Sequence, residues 1–480
     1  WSSDVCSSDL VKVTEKRVFH IAGFIVVALG CGLFTNQIIL SDFMEEHQIN
    51  IRMFRPMESY QKYGGVLTFA RSVGYAVVKK PEGYTTAKVD QIIQEYEKKS
   101  ANEQQSTAKQ YPNIITVVNE TFADIKVLGD FKTNEDYMPY FHSLKKNCVT
   151  GYTYASIVGG QTANTEFELL TGNTLGFLSA GTTAFQLYIH GQMPSLVSNL
   201  KAEGYSGNKA MHPFNPYNYN RPAVYKDFGF TDFIDKFDFP KNVKRVREYI
   251  SDEANVDRII SEYEKNRKKT DQPFYMYNMT IQNHSPYDKD AANFKQPIKI
   301  ESSKYDAEAN RYLNLIKYSD DSLKQLTSYF EKCKEPTIIL FLGDHQPRLT
   351  DEFMNKITNG QYQTWSSEQM MKRYQVPFVI WANYDIKEQH IEKTSMNYIQ
   401  SILTKTAGVK MTGYQRFLNE VRKEVPTITS QGYWGKNGKF YQINDKGSPY
   451  YGIIQKYRMI QYNMMFDKKN RRDSFFEVSK

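Results

Sequence analysis

Four short runs constrain the fold of this chain more than any other feature: NIITVV (113–118), FYMYNM (274–279), TIILFL (337–342) and VPFVIW (376–381). Each carries apolar and β-branched residues on both faces, the pattern of a strand covered by helices on either side. Between the second and third, Tyr312, Ile316, Leu323, Leu326 and Phe330 recur at steps that fit one helix face. Strand, helix, strand in that order predicts an α/β fold whose mostly parallel central sheet is flanked by helices.

A chain of 480 residues with 40 % apolar and 14 % aromatic residues can bury a sizeable core, which excludes wholesale disorder. Its 61 Lys and Arg against 53 Asp and Glu leave a net charge of +8. That excess is spread along the chain and joins no nucleic-acid-binding motif, so no nucleic acid is expected as a partner; an anionic lipid surface is. The four cysteines, Cys6, Cys31, Cys148 and Cys333, form no C-x-x-C pair and are too few for a disulfide scaffold.

The chain begins at Trp1, and residues 1–10 (WSSDVCSSDL) are polar and aperiodic, which reads as a non-native leader. Residues 18–40 then run for 23 positions without Asp, Glu, Lys or Arg. As a helix they reach about 35 Å, enough to cross a hydrocarbon core of about 30 Å, so a transmembrane helix precedes the folded part. Lys12, Lys16 and Arg17 lie before it and Asp42, Glu45 and Glu46 after it, which puts the N-terminal side in the cytoplasm and the rest outside the cell. Residues 41–110 read as a juxtamembrane helical linker ending in the polar run KKSANEQQSTAKQ (98–110), residues 111–425 as the main globular domain, and residues 426–480, rich in Tyr, Gly and Lys, as a C-terminal extension.

Open α/β sheets bind ligands beyond the carboxyl ends of their strands. Here the first run leads into Glu120, the second into TIQNH ending at His284, and the third into Gly343, Asp344 and His345. Singly, each is an ordinary loop residue; together, three strands deliver carboxylates and imidazoles to one rim. Hard oxygens with imidazole suit a divalent cation, Mn²⁺, Mg²⁺ or Zn²⁺, and the lack of thiolates argues against a structural zinc. In GGQTANTEFELLTGNT (159–174), a Gly pair precedes Thr162 at the start of a helical pattern. Unpaired backbone N–H groups there favour an anion such as phosphate, and a threonine hydroxyl beside a metal can serve as nucleophile. The bland alternative for Thr162 is a plain helix cap. No G-x-x-x-x-G-K-[ST], G-x-S-x-G or H-E-x-x-H is present.

On these residues the chain resembles the lipoteichoic acid synthase family, phosphoglycerol transferases of the sulfatase and alkaline phosphatase superfamily, over about residues 111–420. The resemblance implies an alkaline phosphatase/sulfatase-like fold and one divalent ion, usually manganese, bound by Glu120, Thr162 of GGQTANTEFE, and Asp344 and His345 of LFLGDHQP. Thr162 is then the nucleophile, and His284 in QNHSPY contacts substrate and serves the leaving group. A second family patch matches HPFNPYNYNRPAVYKDFGF, with His212, Tyr219 and Arg221 as head-group ligands; Tyr219 stands where the family commonly has Trp. The implied reaction moves glycerol phosphate from phosphatidylglycerol, or another anionic phospholipid, to a teichoic acid-type polymer or glycolipid at the cell membrane, with the catalytic domain on the extracellular side. A phosphodiesterase or phosphoethanolamine transferase of the same superfamily, and a non-catalytic envelope polymer-binding protein, stay open as alternatives. Sulfate-ester chemistry would need C-x-P-x-R, which is absent.

Overall fold

The structure, a computed structural model, describes residues 7–39, 43, 56–76, 78–99, 110–301, 307–360 and 362–478. Positions 1–6 of the leader, Leu40 at the end of the apolar stretch, and much of the linker (41–42, 44–55, 77 and 100–109) lie outside the described residues. Two compact units are present: Trp1–Lys79 with Ser179–Thr182, and Lys80–Leu178 with Thr183–Lys480.

In the first unit, the helix Ser7–Phe34 runs on into a wider turn of helix at Thr35–Ile39. Its stretch Lys16–Ile39 is 24 residues long with a mean hydropathy of 2.1, and none of it is buried against protein. Among the described residues it is the one helix long and apolar enough to cross a membrane. A second helix, Pro56–Ala76, breaks at Gly64, where φ is +77°.

The second unit is built on an eight-stranded sheet. In chain order its strands are β1 (Asn113–Asn119), β2 (Cys148–Tyr154), β3 (Ser206–His212) and β4 (Asp232–Asp235). After a two-stranded hairpin, β5 (Arg245–Val246) and β6 (Tyr249–Ile250), follow β7 (Phe274–Met279), β8 (Thr337–Gly343), β9 (Gln375–Ala382) and β10 (Gln389–Ser395). Their order across the sheet is β10-β2-β9-β8-β1-β7-β3-β4. All four apolar runs of the sequence are strands, and β1, β7 and β8 are buried at every position because helices cover both faces.

The sheet is mixed. β1 pairs in parallel with β7 and β8, β3 with β7 and β4, and β10 with β2, whereas β9 is antiparallel to both β8 and β2. Only β9 therefore runs against the rest, which corrects the reading of VPFVIW as one more parallel strand. A doubly buried run carries no record of direction. Antiparallel pairing has a consequence here: the connection from Gly343 to Gln375 begins and ends on the same rim as the carboxyl ends of β1, β7 and β8. Gly343 itself is dictated by close approach, since a Cβ there would lie 1.8 Å from the Phe122 carbonyl oxygen.

The helix Ala307–Phe330 buries Tyr312, Ile316, Leu323, Leu326 and Phe330 on one face, as their spacing predicts. The helix Thr86–Lys99 and residues 427–478 belong to the same compact unit as the sheet. They are joined by a bidentate pair between Arg472 and Asp90 (2.6 and 2.9 Å), by Lys456 to Glu95 (2.7 Å) and by the Tyr84 hydroxyl donating to Asp467 (2.8 Å).

Four residues beyond Glu120, the Asp124 carboxylate accepts from the Tyr137 hydroxyl and, at 3.2 Å, from that of Tyr152. His142 stands 3.8 Å from Asp124 and 2.7 Å from Asp136. Its bond to Asp124, reinforced by Asp136, pushes its pKa up to about 9 from an ordinary 6.5. A raised pKa stabilises the fold fully below the unfolded value and ceases to as pH passes the folded one. The melting midpoint of the wild-type protein is thus expected to fall more steeply than that of His142→Asn between about pH 6.5 and pH 9; parallel curves in a thermal melt series would contradict this.

Candidate active site

The rim formed by the carboxyl ends of β8, β1, β7 and β3 carries the candidate residues in that order: Asp344 and His345, Glu120, His284, and His212. Glu120 leaves β1 with its N–H donated to the Thr280 hydroxyl at 3.0 Å, and Thr121 follows at φ +54° with its N–H on Asp344 Oδ1 at 2.7 Å. Asp344 Oδ1 also takes the His345 N–H at 2.8 Å. One carboxylate oxygen of Asp344 thus ties β8 to β1, and the other, Oδ2, is buried with no hydrogen-bond partner among the described residues.

His345 completes the group. Its Nδ1 faces the Gln346 carbonyl at 3.0 Å, which leaves Nε2 as the nitrogen turned to the carboxylates, 3.2 Å from Asp344 Oδ2 and 3.8 Å from Glu120 Oε1. Nε2 is likewise buried without a hydrogen-bond partner. Ligand atoms of Glu120, Asp344 and His345 all lie within 4.8 Å of one another. Burial and then the adjacent Asp344 push the pKa of Glu120 up to about 8. Two carboxylates and an imidazole nitrogen converging where all three residues are buried, with two of their atoms lacking a hydrogen-bond partner, fit a divalent cation by ligand type.

Thr162 opens the helix Thr162–Thr171 after three residues at positive φ: Gly159 (+66°), Gly160 (+139°) and Gln161 (+67°). Two glycines make that turn accessible, and it brings the Thr162 hydroxyl to 3.5 Å from Glu120 Oε2. The helix is fixed to the same strand end by Thr165, whose hydroxyl donates to the Asp344 carbonyl at 2.8 Å. The first-turn N–H groups of such a helix favour an anion beside the hydroxyl.

One turn on from Thr162, Glu166 lies on the same helix face and is fully buried. Its Oε1 accepts from Arg221 Nε (3.1 Å) and Nη2 (2.7 Å), and its Oε2 from the hydroxyls of Tyr225 (2.5 Å) and Tyr277 (3.1 Å). Arg221 is thus held in a buried ion pair that fixes its fork. Tyr219 and Asn220 adopt left-handed backbone (φ +60° and +58°), and the Tyr219 ring lies 5.1 Å from the Arg221 guanidinium carbon. Burial pushes the Tyr219 hydroxyl pKa up, with Glu120, Glu166 and Asp344 adding to the rise.

His212 ends β3 and donates Nδ1–H to the Met279 carbonyl at 2.9 Å. Burial first, then the Arg221 charge, hold its pKa well below the ordinary value, so the ring is neutral and its Nε2 is an acceptor. His284 is half-buried, with Nδ1 2.7 Å from the Ser285 carbonyl and its ring stacked 6.3 Å from Phe214. Its loop is clamped by Arg247, which donates to the carbonyls of Pro286 (2.7 Å), Gln282 (2.8 Å) and His284 (2.8 Å). Beneath it, Asn283 donates to Asn119 (3.0 Å) and Ser319 (2.8 Å), and Asp252 accepts from Asn119 (2.7 Å) and Ser319 (2.6 Å).

The structure therefore gathers Glu120, Asp344 and His345 with Thr162, and sets His212, Tyr219 and Arg221 around one buried carboxylate neighbourhood. Sequence reasoning missed Glu166, Thr280, Arg247 and Asp252. Glu166 had a signal, its i+4 spacing from Thr162; Thr280 and Arg247 act on backbone groups and Asp252 on side chains of distant elements, and these leave none.

The sulfatase family model matches residues 112–409. The chain belongs to the sulfatase family. A Rhizobium meliloti protein named for cyclic beta-1,2-glucan modification is 30 % identical over 433 residues, covering 88 % of this chain and 65 % of that protein. The Bacillus subtilis lipoteichoic acid synthase-like protein YvgJ is 27 % identical over 237 residues, 48 % of this chain and 36 % of its own length. The chain thus spans less than two thirds of either relative. Among solved structures, the Streptococcus pyogenes phosphoglycerol transferase GacH in complex with sn-glycerol-1-phosphate superposes with a TM-score of 0.67 at 20 % identity, over 84 % of this chain and all of that one. The Listeria monocytogenes lipoteichoic acid synthase LtaP gives 0.57 at 19 % identity, over 81 % and 99 %. At such identities the likeness shows the fold, and it is the alkaline phosphatase/sulfatase-like fold that the motif resemblance implies.

Proposed function

We propose that this member of the sulfatase family is a membrane-anchored, divalent-metal-dependent phosphoglycerol transferase that moves glycerol phosphate from phosphatidylglycerol to a hydroxyl of a cell-envelope polymer or glycolipid. The observation that carries this reading is the buried trio Glu120, Asp344 and His345 with two orphaned donor atoms, reached by the Thr162 hydroxyl. The names of GacH and LtaP support phosphoglycerol transfer, and that of the Rhizobium meliloti relative supports a glycan acceptor. The apolar helix Lys16–Ile39 supports a membrane anchor, with the catalytic unit outside the cell.

A divalent cation, manganese or in its place magnesium or zinc, would be held by Glu120, Asp344, His345 and the Thr162 oxygen, where it supplies positive charge for non-bridging phosphoryl oxygens and lowers the pKa of a bound hydroxyl. Thr162 Oγ passes its proton to Glu120 Oε2, the acceptor of its hydrogen bond, and attacks phosphorus in line; an Oγ–P bond forms and the P–O bond to diacylglycerol breaks. First-turn N–H groups of Thr162–Thr171 orient the phosphoryl group. His284 gives a proton from Nε2 to the departing alkoxide, since Nδ1 is turned to the Ser285 carbonyl. Arg221, fixed by Glu166, offers its remaining N–H groups to the head group. His212, neutral and with Nδ1 already donated, accepts from a glycerol hydroxyl rather than donating to a phosphate oxygen. An acceptor hydroxyl then attacks the same phosphorus and gives its proton to His284, the Oγ–P bond breaks, and Thr162 Oγ takes its proton back from Glu120.

The test uses the full chain in phosphatidylglycerol vesicles. Diacylglycerol is expected to appear only with a divalent cation, to stop on adding a chelator and to resume with excess Mn²⁺. Release that ignores the chelator would overturn the metal-dependent reading. Free glycerol phosphate as the sole second product, with acceptor present, would make the protein a phosphodiesterase.

A further inference from the structure

The direction of β9 has a consequence at the rim. Because β9 runs against its neighbours, it starts where β1, β7 and β8 end, and Gln375 at its head stands beside the loop that follows β8. One side chain of that loop, Gln346, joins the two. It is fully buried, and its Nε2 donates to the carbonyls of Lys372 and Gln375, each at 2.7 Å. Carbonyls only accept, so they fix which end of the amide faces them.

The backbone of the same residue serves both halves of the site. Its carbonyl takes the Gly159 N–H at 3.0 Å and faces His345 Nδ1 at 3.0 Å. Gly159 opens the positive-φ turn that ends at Thr162, and it lies against this loop: a Cβ on Gly159 would meet the Arg348 Cβ at 3.0 Å. The chain entering that turn rests on the same ledge, since the Ala155 N–H donates to the Tyr374 carbonyl at 2.9 Å. Residues 372–375 thus support His345 through Gln346, and the turn before Thr162 through Gln346 and Ala155.

Packing alone does not account for a glutamine here. Methionine would fill a similar volume, whereas two carbonyls facing one group ask for a donor with two hydrogens, which an amide or a cation supplies. A cation would add an unpaired charge at a fully buried position.

We propose that Gln346 is a positioning residue that couples cation binding to the placement of Thr162. Its carbonyl, held in place by the side-chain bonds of the same residue, selects the His345 tautomer with hydrogen on Nδ1 and so frees Nε2 for a cation, while it holds the turn that presents the Thr162 hydroxyl. This rests on the reading of Glu120, Asp344 and His345 as cation ligands, and it is measured by binding as well as by turnover.

Calorimetric titration of the full chain with Mn²⁺, without substrate, tests it on the wild type, Gln346→Met and Gln461→Met. Gln461 is the matched control: it is buried, and its side-chain amide exchanges two bonds with the Thr174 backbone at 2.8 and 2.9 Å. Both variants are expected to melt at a lower temperature than the wild type, but only Gln346→Met to bind Mn²⁺ about tenfold more weakly, the low end of what losing a support of a metal ligand does. At saturating Mn²⁺ its turnover is expected to fall about tenfold with KM for phosphatidylglycerol unchanged, because the nucleophile and not the donor is displaced. By reciprocity the cation steadies the same bonds, so in the wild type Mn²⁺ is expected to slow hydrogen exchange of segment 371–376, which carries no cation ligand, about tenfold. That measurement decides the matter even if Gln346→Met does not fold. Unchanged Mn²⁺ affinity in folded Gln346→Met, equal weakening in both variants, or unchanged exchange at 371–376 overturns the proposal. A wild type that binds no Mn²⁺ overturns the metal-dependent reading itself, and the proposal with it.

Discussion

Thr162→Ala is expected to lower the turnover of phosphatidylglycerol by four orders of magnitude or more, on the order of what removing the nucleophile does in other covalent enzymes. Its effect on the fold is expected to be small. The Thr162 hydroxyl makes one long bond, 3.5 Å to Glu120, the alanine keeps the Cβ, and Thr165 still anchors the helix to the Asp344 carbonyl. A stability change below about 1 kcal/mol follows from losing one weak hydrogen bond. Diacylglycerol release and thermal melting measured on the same preparation separate the two effects. Thr162→Ser should recover part of the rate, because it restores an oxygen at the same turn. Unchanged release in Thr162→Ala would remove the nucleophile from the mechanism.

Arg221→Ala is expected to damage both fold and activity. It leaves Glu166 buried with only the Tyr225 and Tyr277 hydroxyls facing it, and breaking a buried ion pair from one side costs about 3–5 kcal/mol. The double variant Arg221→Met/Glu166→Gln removes both charges at similar volume and keeps an acceptor for the two tyrosines. It is expected to recover most of the melting temperature and none of the turnover. Recovery of turnover with stability would mean that Arg221 holds the protein together and does not meet substrate.

Much of this arrangement can be read in the sequence, and the parts that cannot have physical reasons. β1, β7 and β8 are legible because they are covered on both faces and must be apolar throughout. Their carboxyl ends, Glu120, His284 and Asp344–His345, follow directly. β3 (SGNKAMH) and β10 (QHIEKTS) are hidden because polar residues and a glycine interrupt them, and so His212 reads as a loop residue although it ends a strand. The direction of β9 is hidden because burial does not depend on direction. Arg221 is visible as a cation in a motif, but its charge partner is not, since Glu166 lies 55 residues away along the chain. Arg247 and Asp252 act on backbone carbonyls and amide side chains from other elements, contacts that only the fold creates.

His212 shows how context alters a residue's chemistry. A histidine in a loop could donate to phosphate; His212, buried and bonded through Nδ1 to Met279, can only accept.

Mass spectrometry of the protein quenched during turnover with phosphatidylglycerol and Mn²⁺ tests the central claim most directly. A glycerophosphoryl adduct carried by the peptide that contains Thr162, absent when acceptor is in large excess and absent in Thr162→Ala, is the predicted result. An adduct on any other side chain, or steady turnover with unmodified Thr162 at every quench time and no acceptor present, would contradict it.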